Sequence, residues 1–132
     1  MTETEARTFL DRYFTAAMQG TDYDRFAALY SEDGVLEDPV GTPPLRGRPA
    51  IREFLAAGRQ QIAHGDIAVH EVIACGLEVA ARWSGMLRLV NGSSAAIQGI
   101  GVFTFADPDH VRHVREFYDV SLLASMFAGT AA

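Results

Sequence analysis

The chain has 132 residues, of which 48% are apolar and 21% charged, and this length predicts one domain spanning residues 1–132. All eleven basic residues are arginines, which excludes a Schiff-base lysine and the phosphate-binding lysine of a P-loop. The formal net charge is −6 and there is no basic cluster, so the chain lacks the positive patch that nucleic acids require. A small molecule is the expected partner.

Sequence features that direct a protein to a membrane or out of the cell are missing. No apolar run approaches ~18 residues. The acidic start at residues 1–5 lacks the basic-then-apolar pattern of a secretory signal. Cys75 is the only cysteine, so no intrachain disulfide can form. We therefore expect a cytoplasmic protein without a membrane span.

The first part of the chain has the apolar spacing of helices. The pattern predicts a long helix over residues 2–19, a short one over 22–30 and a third that begins near Pro49 and runs to about residue 61. Thr2 and Glu5 form a capping box at the start of the first helix. The inward face of that helix is predicted to carry Ala6, Phe9, Leu10, Tyr13, Phe14 and Ala17.

A carboxylate followed by proline ends the first predicted strand. Residues 31–34 read as a turn into an apolar run that stops at Asp38, because Pro39 favours extended dihedrals in the residue before it. Asp38 could serve as a base at the strand end. The same segment is also typical of a type I turn, which favours Asp at its first position, Pro at its second and Gly, here Gly41, at its fourth. In that case Asp38 would only cap the turn.

The rest of the chain reads mainly as strands, over residues 67–75, 77–90, 93–105 and 111–118, with Asn91-Gly92 as a hairpin signal. Helices first and an antiparallel sheet afterwards predict the α+β class. The apolar tail at residues 121–127 is expected to pack on the sheet or on a partner. The last residues, Gly129 to Ala132, are expected to fray.

A curved sheet with helices over one face leaves a cavity whose lining depends on strand parity. Counting outward from Asn91-Gly92 places Arg82 and Ser84 on the same face of their strand, and this face could line the cavity. The opposite assignment, in which Trp83 faces the cavity, stays open. On the last strand Glu116 and Tyr118 share a face. If Arg82 and Glu116 face the cavity they should pair, because a lone buried charge is costly. Otherwise they form a solvated pair outside.

Both faces of the predicted sheet are apolar, which favours a homodimer through the sheet. The four histidines do not have zinc-site spacing with a third ligand. No serine or cysteine lies in a recognised nucleophile motif. We therefore expect no metal site and no cofactor.

Two helices, the segment Glu37-Asp38-Pro39-Val40-Gly41, a loop over residues 42–48 and the segment Ala50-Ile51-Arg52-Glu53-Phe54 resemble the bacterial ketosteroid isomerases. More widely, the chain resembles SnoaL-like members of the nuclear transport factor 2 superfamily. The resemblance implies a cone-shaped, curved antiparallel sheet wrapped around a pocket by three N-terminal helices, commonly in a dimer.

The resemblance to the isomerases also implies catalytic residues. Asp38 would shuttle a proton between two carbons of an enone, and Tyr13 would donate a hydrogen bond to the dienolate oxygen. The second acid of that oxyanion hole falls at Gly101, so the hole is incomplete in this chain. Arg82, Ser84, Glu116 and Tyr118 are the other polar groups expected to contact the substrate, a small hydrophobic molecule such as a steroid, terpenoid or polyketide.

Other relatives suggest other reactions. In limonene epoxide hydrolases, which the chain also resembles, Arg82 and Glu116 would match two of three catalytic residues, but Ser84 stands where the third, an Asp, is expected. SnoaL-like polyketide cyclases offer another alternative, and polyether epoxide hydrolases share an Asp at the Asp38 motif. Non-catalytic binding of a hydrophobic ligand is the alternative outside enzymes.

Overall fold

A computed structural model describes residues 1–127, apart from the side chains at 123, 126 and 127. The end predicted to fray, from Gly129 onward, lies outside the described residues. The elements in chain order are α1 (Glu3–Gln19), α2 (Tyr23–Ala27), β1 (Tyr30–Glu37), β2 (Leu45–Arg46), α3 (Arg48–Arg59), β3 (Ile62–Cys75), β4 (Glu78–Leu89), β5 (Ser94–Asp107), β6 (His110–Tyr118) and α4 (Val120–Phe127).

Helix α1 follows its sequence pattern closely. The Thr2 side chain accepts from the Glu5 N–H at 3.0 Å, and the Glu5 carboxylate accepts from the Thr2 N–H at 2.9 Å, so the capping box is confirmed. All six residues of the predicted inward face are buried, with Tyr13 only 4% exposed. The helix therefore carries a tyrosine hydroxyl into the interior.

The segment after α1 differs from the prediction. Asp22 caps α2 as expected, but the helix ends at Ala27 and Tyr30 begins β1 instead of closing a helix. Tyr30 pairs with Val111 of β6, and the neighbouring Val111 N–H donates to the Leu29 carbonyl at 2.9 Å. This long-range pairing overrides the local helical pattern and converts the predicted turn at residues 31–34 into strand.

The six strands of the described chain form one curved, unclosed sheet in the order β2-β1-β6-β5-β4-β3. Strands β3 to β6 form an antiparallel meander, as predicted. Strands β1 and β6 are parallel to each other, and every other pair of neighbouring strands is antiparallel. The α+β class, with three helices before the main sheet, is confirmed by this architecture.

The turn between β4 and β5 is one residue longer than the predicted Asn91-Gly92 hairpin. Leu89 N–H donates to the Ser93 carbonyl at 2.8 Å across a three-residue loop, in which Gly92 has a φ of 93°. A positive φ at the last loop residue is typical of three-residue hairpins. The slip of one residue reverses which side chains of β4 face inward, so Arg82 lies opposite Ile100 and not Gly101.

The two faces of the sheet have different surroundings. The helices cover the inner face, where aromatic residues of α1 pack against β5. The outer face exposes the apolar side chains Ile73, Ile100 and Phe117. Such a face is what the predicted homodimer requires, and the dimer itself stays a prediction. Between residues 1 and 127, no helix combines the length and apolar character needed to cross a membrane.

Candidate active site

A cavity of about 1150 Å³ opens between α1, α3 and the inner face of the sheet. Its volume is just above the range of about 300 to 1,000 Å³ that is usual for small-molecule sites. Aliphatic and aromatic side chains form most of its wall, including Phe14, Phe54 and Leu87. Polar groups from three different elements also reach it, namely Tyr13, Asp38, Glu116 and Tyr118.

Asp38 lies immediately after β1, at the start of a loop that is hydrogen-bonded to β6. The Asp38-Pro39 peptide bond is cis, and the Val40 N–H donates to the Glu116 carbonyl at 2.9 Å. The turn bond of the loop runs from the Thr42 N–H to the Pro39 carbonyl at 3.2 Å. The Asp38 carboxylate takes no part in that bond, so Asp38 is not the cap of this turn.

The Asp38 carboxylate accepts a hydrogen bond from the Tyr118 hydroxyl. Burial raises the pKa of Asp38 above its ordinary value of 3.8, and the Tyr118 hydrogen bond opposes this only in part. Arg59 is the only cation among the described residues that line the cavity, and it donates to the Met18 carbonyl at 2.6 Å. Asp38 is thus a carboxylate without a cationic partner, which preserves its basicity.

Glu116 lies on the inner face of β6 and is 5% exposed. Its pKa is raised well above 4.5, first by burial and then by the negative charge of Asp38. The Trp83 indole is near enough to lower that pKa slightly, but neither Glu116 Oε1 nor Trp83 Nε1 makes a hydrogen bond of good geometry. Burial and the Asp38 charge therefore both favour the neutral form of Glu116.

Tyr13 and Tyr30 form a buried pair with their hydroxyl oxygens 2.6 Å apart. Burial raises the pKa of both well above 10, so both stay protonated across the physiological range. The Tyr13 ring is fixed by close contacts with Phe14, Phe26 and Phe103. When Tyr30 donates to Tyr13, the Tyr13 proton is free to be donated into the cavity.

The structure corrects one of the predicted substrate contacts, Arg82, and leaves Ser84 as a prediction. Arg82 is exposed on the outer face, where its Nε donates to Glu71 Oε2 at 2.6 Å, while Glu116 is buried and lines the cavity, so Arg82 and Glu116 form neither the predicted pair inside nor the solvated pair outside. Ser84 borders the cavity, but its hydroxyl is 2.6 Å from His70 Nε2 on the neighbouring strand. The physical reason is the one-residue slip in the β4–β5 turn, which favours the parity with Trp83 inward.

Two residues at the site were missed as functional candidates. The helical spacing over residues 22–30 predicts that Tyr30 lies on a helix face, and nothing in its local sequence indicates its pairing with β6. Trp83 left a sequence signal, because it faces Gly99 directly across the β4–β5 ladder. A Cβ at Gly99 would come closer than 3.0 Å to the Trp83 ring, so the glycine makes room for the indole.

Within residues 1–127, no three His, Cys, Asp or Glu side chains are grouped as metal ligands. Besides Asp119, whose carboxylate caps α4, the cavity contains the carboxyl groups of Asp38 and Glu116, both without a cationic partner, and the hydroxyls of Tyr13 and Tyr118. Such a set can accept and return a proton and can stabilise a developing oxyanion.

Three of the similarities to known proteins bear on this site. The SnoaL-like domain family matches residues 10–113. A steroid Δ-isomerase of Nocardioides simplex is 45% identical over 53 residues, which are 40% of this chain and 42% of that enzyme. The match therefore spans less than half of the isomerase.

The third similarity is to a solved structure of the epoxide hydrolase/cyclase-like enzyme SalBIII, which has a role in pyran ring formation in the polyether salinomycin. The two structures superpose with a TM-score of 0.76 at 24% sequence identity, over 90% of this chain and 94% of SalBIII. At this identity the similarity shows a shared fold.

Proposed function

The chain belongs to the SnoaL-like domain family of the nuclear transport factor 2 superfamily, and we propose that it is an enzyme that moves a proton between two carbons of a hydrophobic ketone. The observation that carries the proposal is Asp38, a carboxylate without a cationic partner in a largely apolar cavity, whose burial raises its pKa. Partial identity to a steroid Δ-isomerase supports a fused-ring enone as the substrate class.

The proposed reaction needs no group beyond the side chains of the cavity. Asp38 removes a proton from the carbon between the ketone and the double bond, and the electron pair moves onto the ketone oxygen to form a dienolate. The protonated Asp38 then returns the same proton to the far carbon, and the double bond becomes conjugated. A base whose pKa lies nearer to neutrality is better suited to both halves of such a transfer.

Tyr13 and Tyr118 have separate roles in this proposal. The Tyr13 hydroxyl donates a hydrogen bond to the dienolate oxygen, and its raised pKa keeps the proton on the tyrosine. Tyr118 holds the Asp38 carboxylate through the hydrogen bond between them. The apolar wall excludes water, which strengthens both interactions.

A second candidate reaction is acid–base opening or closing of an epoxide in a terpenoid or polyketide. The observation that favours it is the presence of two carboxyl groups of unequal environment in one cavity, a common arrangement for paired acid and base roles. Asp38 would activate water or a hydroxyl, and neutral Glu116 would protonate the epoxide oxygen. The displacement of Arg82 to the outer face removes the limonene-type version of this chemistry.

The test compares wild type with Asp38→Asn on a Δ5-3-ketosteroid, followed by the ultraviolet absorbance of the conjugated enone. Loss of the base should lower kcat by about 10² to 10⁴, while the isosteric amide should leave steroid binding largely intact. Asp119→Asn is the matched control, because Asp119 also lines the cavity but its carboxylate caps α4.

Three outcomes are informative. Turnover by wild type and Asp119→Asn but not by Asp38→Asn supports the isomerase. Consumption of epoxides alone, in a panel run in parallel, supports the second candidate. Steroid binding without turnover of either substrate class contradicts both reactions and leaves the cavity as a binding site.

A further inference from the structure

The inner face of β5 has two glycines in alternation, and side chains from the flanking strands cover both. Trp83 of β4 lies over Gly99, as described above. Glu116 of β6 lies over Gly101 in the same way, and a Cβ built on Gly101 would be much closer than 3.0 Å to Glu116 Oε1. The Glu116 carboxyl therefore occupies the space into which a side chain at position 101 would extend.

The register of the sheet explains this arrangement. Gly101 and Glu116 are direct partners in the antiparallel ladder between β5 and β6, and Glu116 lines the cavity. Because glycine has no side chain, the glutamate on β6 can lean across the ladder onto β5. A carboxyl group is thus present above β5 although β5 itself supplies no acid there.

We propose that the Glu116 carboxyl donates a hydrogen bond to the oxyanion of the bound ligand beside Tyr13, and so completes the oxyanion hole from β6 instead of β5. The inference rests on the proposed function, because the oxyanion is the dienolate oxygen of that reaction. It goes beyond that function by assigning the second donor to Glu116, at a position where the sequence indicated a missing acid.

Three observations support the assignment. Glu116 Oε1 is buried and makes no hydrogen bond within the described residues, so the hydrogen-bonding capacity of this carboxyl group is not used up by the protein. Tyr13 and Glu116 both line the cavity, and Glu116 is close enough for its charge to raise the pKa of Tyr13. Burial and the nearby Asp38 charge favour the neutral form of Glu116, which is the form that can donate.

The chemistry leaves Glu116 unchanged after each turnover. Asp38 carries the proton that moves between the two carbons. Glu116 and Tyr13 share their protons with the ligand oxygen through hydrogen bonds and retain them throughout. No covalent bond to Glu116 forms or breaks.

The first test is direct and needs no substrate. Infrared spectra of wild type at pH 7 should contain the carbonyl stretch of a protonated carboxyl group, and this band should be absent from Glu116→Gln. Glu71→Gln, which alters an exposed glutamate on the outer face, should keep the band. A wild-type spectrum without a protonated carboxyl band overturns the proposal.

The second test uses a fluorescent naphthol, whose phenolate resembles a dienolate. Glu116→Ala should weaken naphthol binding by about 10-fold to 100-fold, the usual effect of losing one hydrogen bond to a charged group. Glu116→Gln retains an N–H donor and should weaken it by about 3-fold or less. Equal affinity of wild type and Glu116→Ala overturns the proposal.

A conservative variant guards against simple loss of folding. Glu116→Gln keeps the size of the side chain and an N–H donor, so it should retain most of the naphthol affinity that Glu116→Ala loses. A Gln variant that is folded by circular dichroism but binds as weakly as Glu116→Ala contradicts the assignment of Glu116 as an oxyanion donor.

These outcomes are separable from those of the proposed function. If naphthol binding depends on Glu116 but wild type does not isomerise any Δ5-3-ketosteroid, the donor assignment stands and the isomerase proposal fails. If Glu116→Ala isomerises the steroid as fast as wild type, the isomerase stands and the donor assignment fails.

Discussion

Glu37 and Asp38 are consecutive residues, yet their carboxylates lie in opposite electrostatic environments. On the outer face, Glu37 Oε2 is 2.7 Å from His113 Nε2 and accepts from Arg115 Nε at 3.2 Å, and these contacts lower its pKa. On the inner face, burial raises the pKa of Asp38. The same alternation on β6 places Arg115 outside and Glu116 inside.

The contrast between these two carboxylates shows how the fold keeps the Asp38 carboxylate basic. Successive side chains of a strand point to opposite faces, so a cation one residue from an acid in sequence can be excluded from its surroundings. A cation within about 4 to 6 Å would favour the charged form and lower the pKa. Strand parity therefore separates Arg115 from the two inner acids, and the inner face is where we place the chemistry.

After loss of the Asp38 base itself, the largest effect is expected from Tyr13, which reaches the cavity from α1. Tyr13→Phe removes a donor to the oxyanion and should lower kcat on the Δ5-3-ketosteroid by about 10² to 10³, with a smaller change in KM. The matched control is Tyr23→Phe on α2, which should retain wild-type kcat because Tyr23 does not line the cavity. Equal losses in both variants would break the assignment of the chemistry to the inner face.

The outer face should differ from the inner one by its role in association. We propose that it pairs two copies of the chain, because Ile100 and Phe117 expose apolar surface there. Ile100→Glu should raise the dimer dissociation constant at least about tenfold, as expected for a charge buried against an apolar surface. Sedimentation velocity would measure it, and a wild-type protein that is monomeric at all concentrations would contradict the dimer.

A smaller effect is expected at the single hydrogen bond to Asp38. Tyr118→Phe removes it, which raises the pKa of Asp38 further because that bond lowers it. The acidic limb of the kcat/KM profile should move to higher pH, because the carboxylate that must be ionised loses the hydrogen bond that favours its charged form. An unmoved limb would mean that Tyr118 does not hold the carboxylate in the working enzyme.

The smallest effects are on stability, and they should have opposite signs on the two faces. Glu37 has a lowered pKa, so its contribution is present above about pH 4.5 and is lost as the pH falls through its folded value. Glu37→Gln should therefore reduce the free energy of unfolding at pH 7 by less than about 1 kcal/mol, as for other pairs near the surface.

Glu116 has a raised pKa, so the folded state binds its proton more tightly than the unfolded state does. Its contribution is present below about pH 4.5 and is lost as the pH rises toward the folded value. Glu116→Gln should be more stable than wild type at pH 8, with no such gain below pH 4.5. Urea unfolding across this pH range would measure both variants, and equal signs would refute the contrast between the faces.

Much of the fold could be predicted because its signals are local. The helical spacing of α1 identifies its buried face, and the proline after Asp38 identifies a strand end. Along β6 the alternation predicts that Glu116 and Tyr118 share a face. These features depend on residues a few positions apart, which the sequence displays directly.

The remaining features depend on long-range pairing. The parity of Arg82 depends on a single extra residue in the β4–β5 loop, where Asn91-Gly92 sits within a three-residue turn. The strand character of Tyr30 depends on a partner on β6, about 80 residues away. The carboxyl of Glu116 above Gly101 is a property of two adjacent strands, so the sequence of either strand alone suggests only that an acid is missing.

The most direct test of the account is an NMR titration of the carboxyl carbons of Asp38, Glu116 and Glu37 in the free protein. We predict that Asp38 titrates above 3.8, Glu116 well above 4.5 and Glu37 below 4.5. A pKa of Asp38 at or below 3.8 would contradict the claim that the cavity holds an uncompensated carboxylate base.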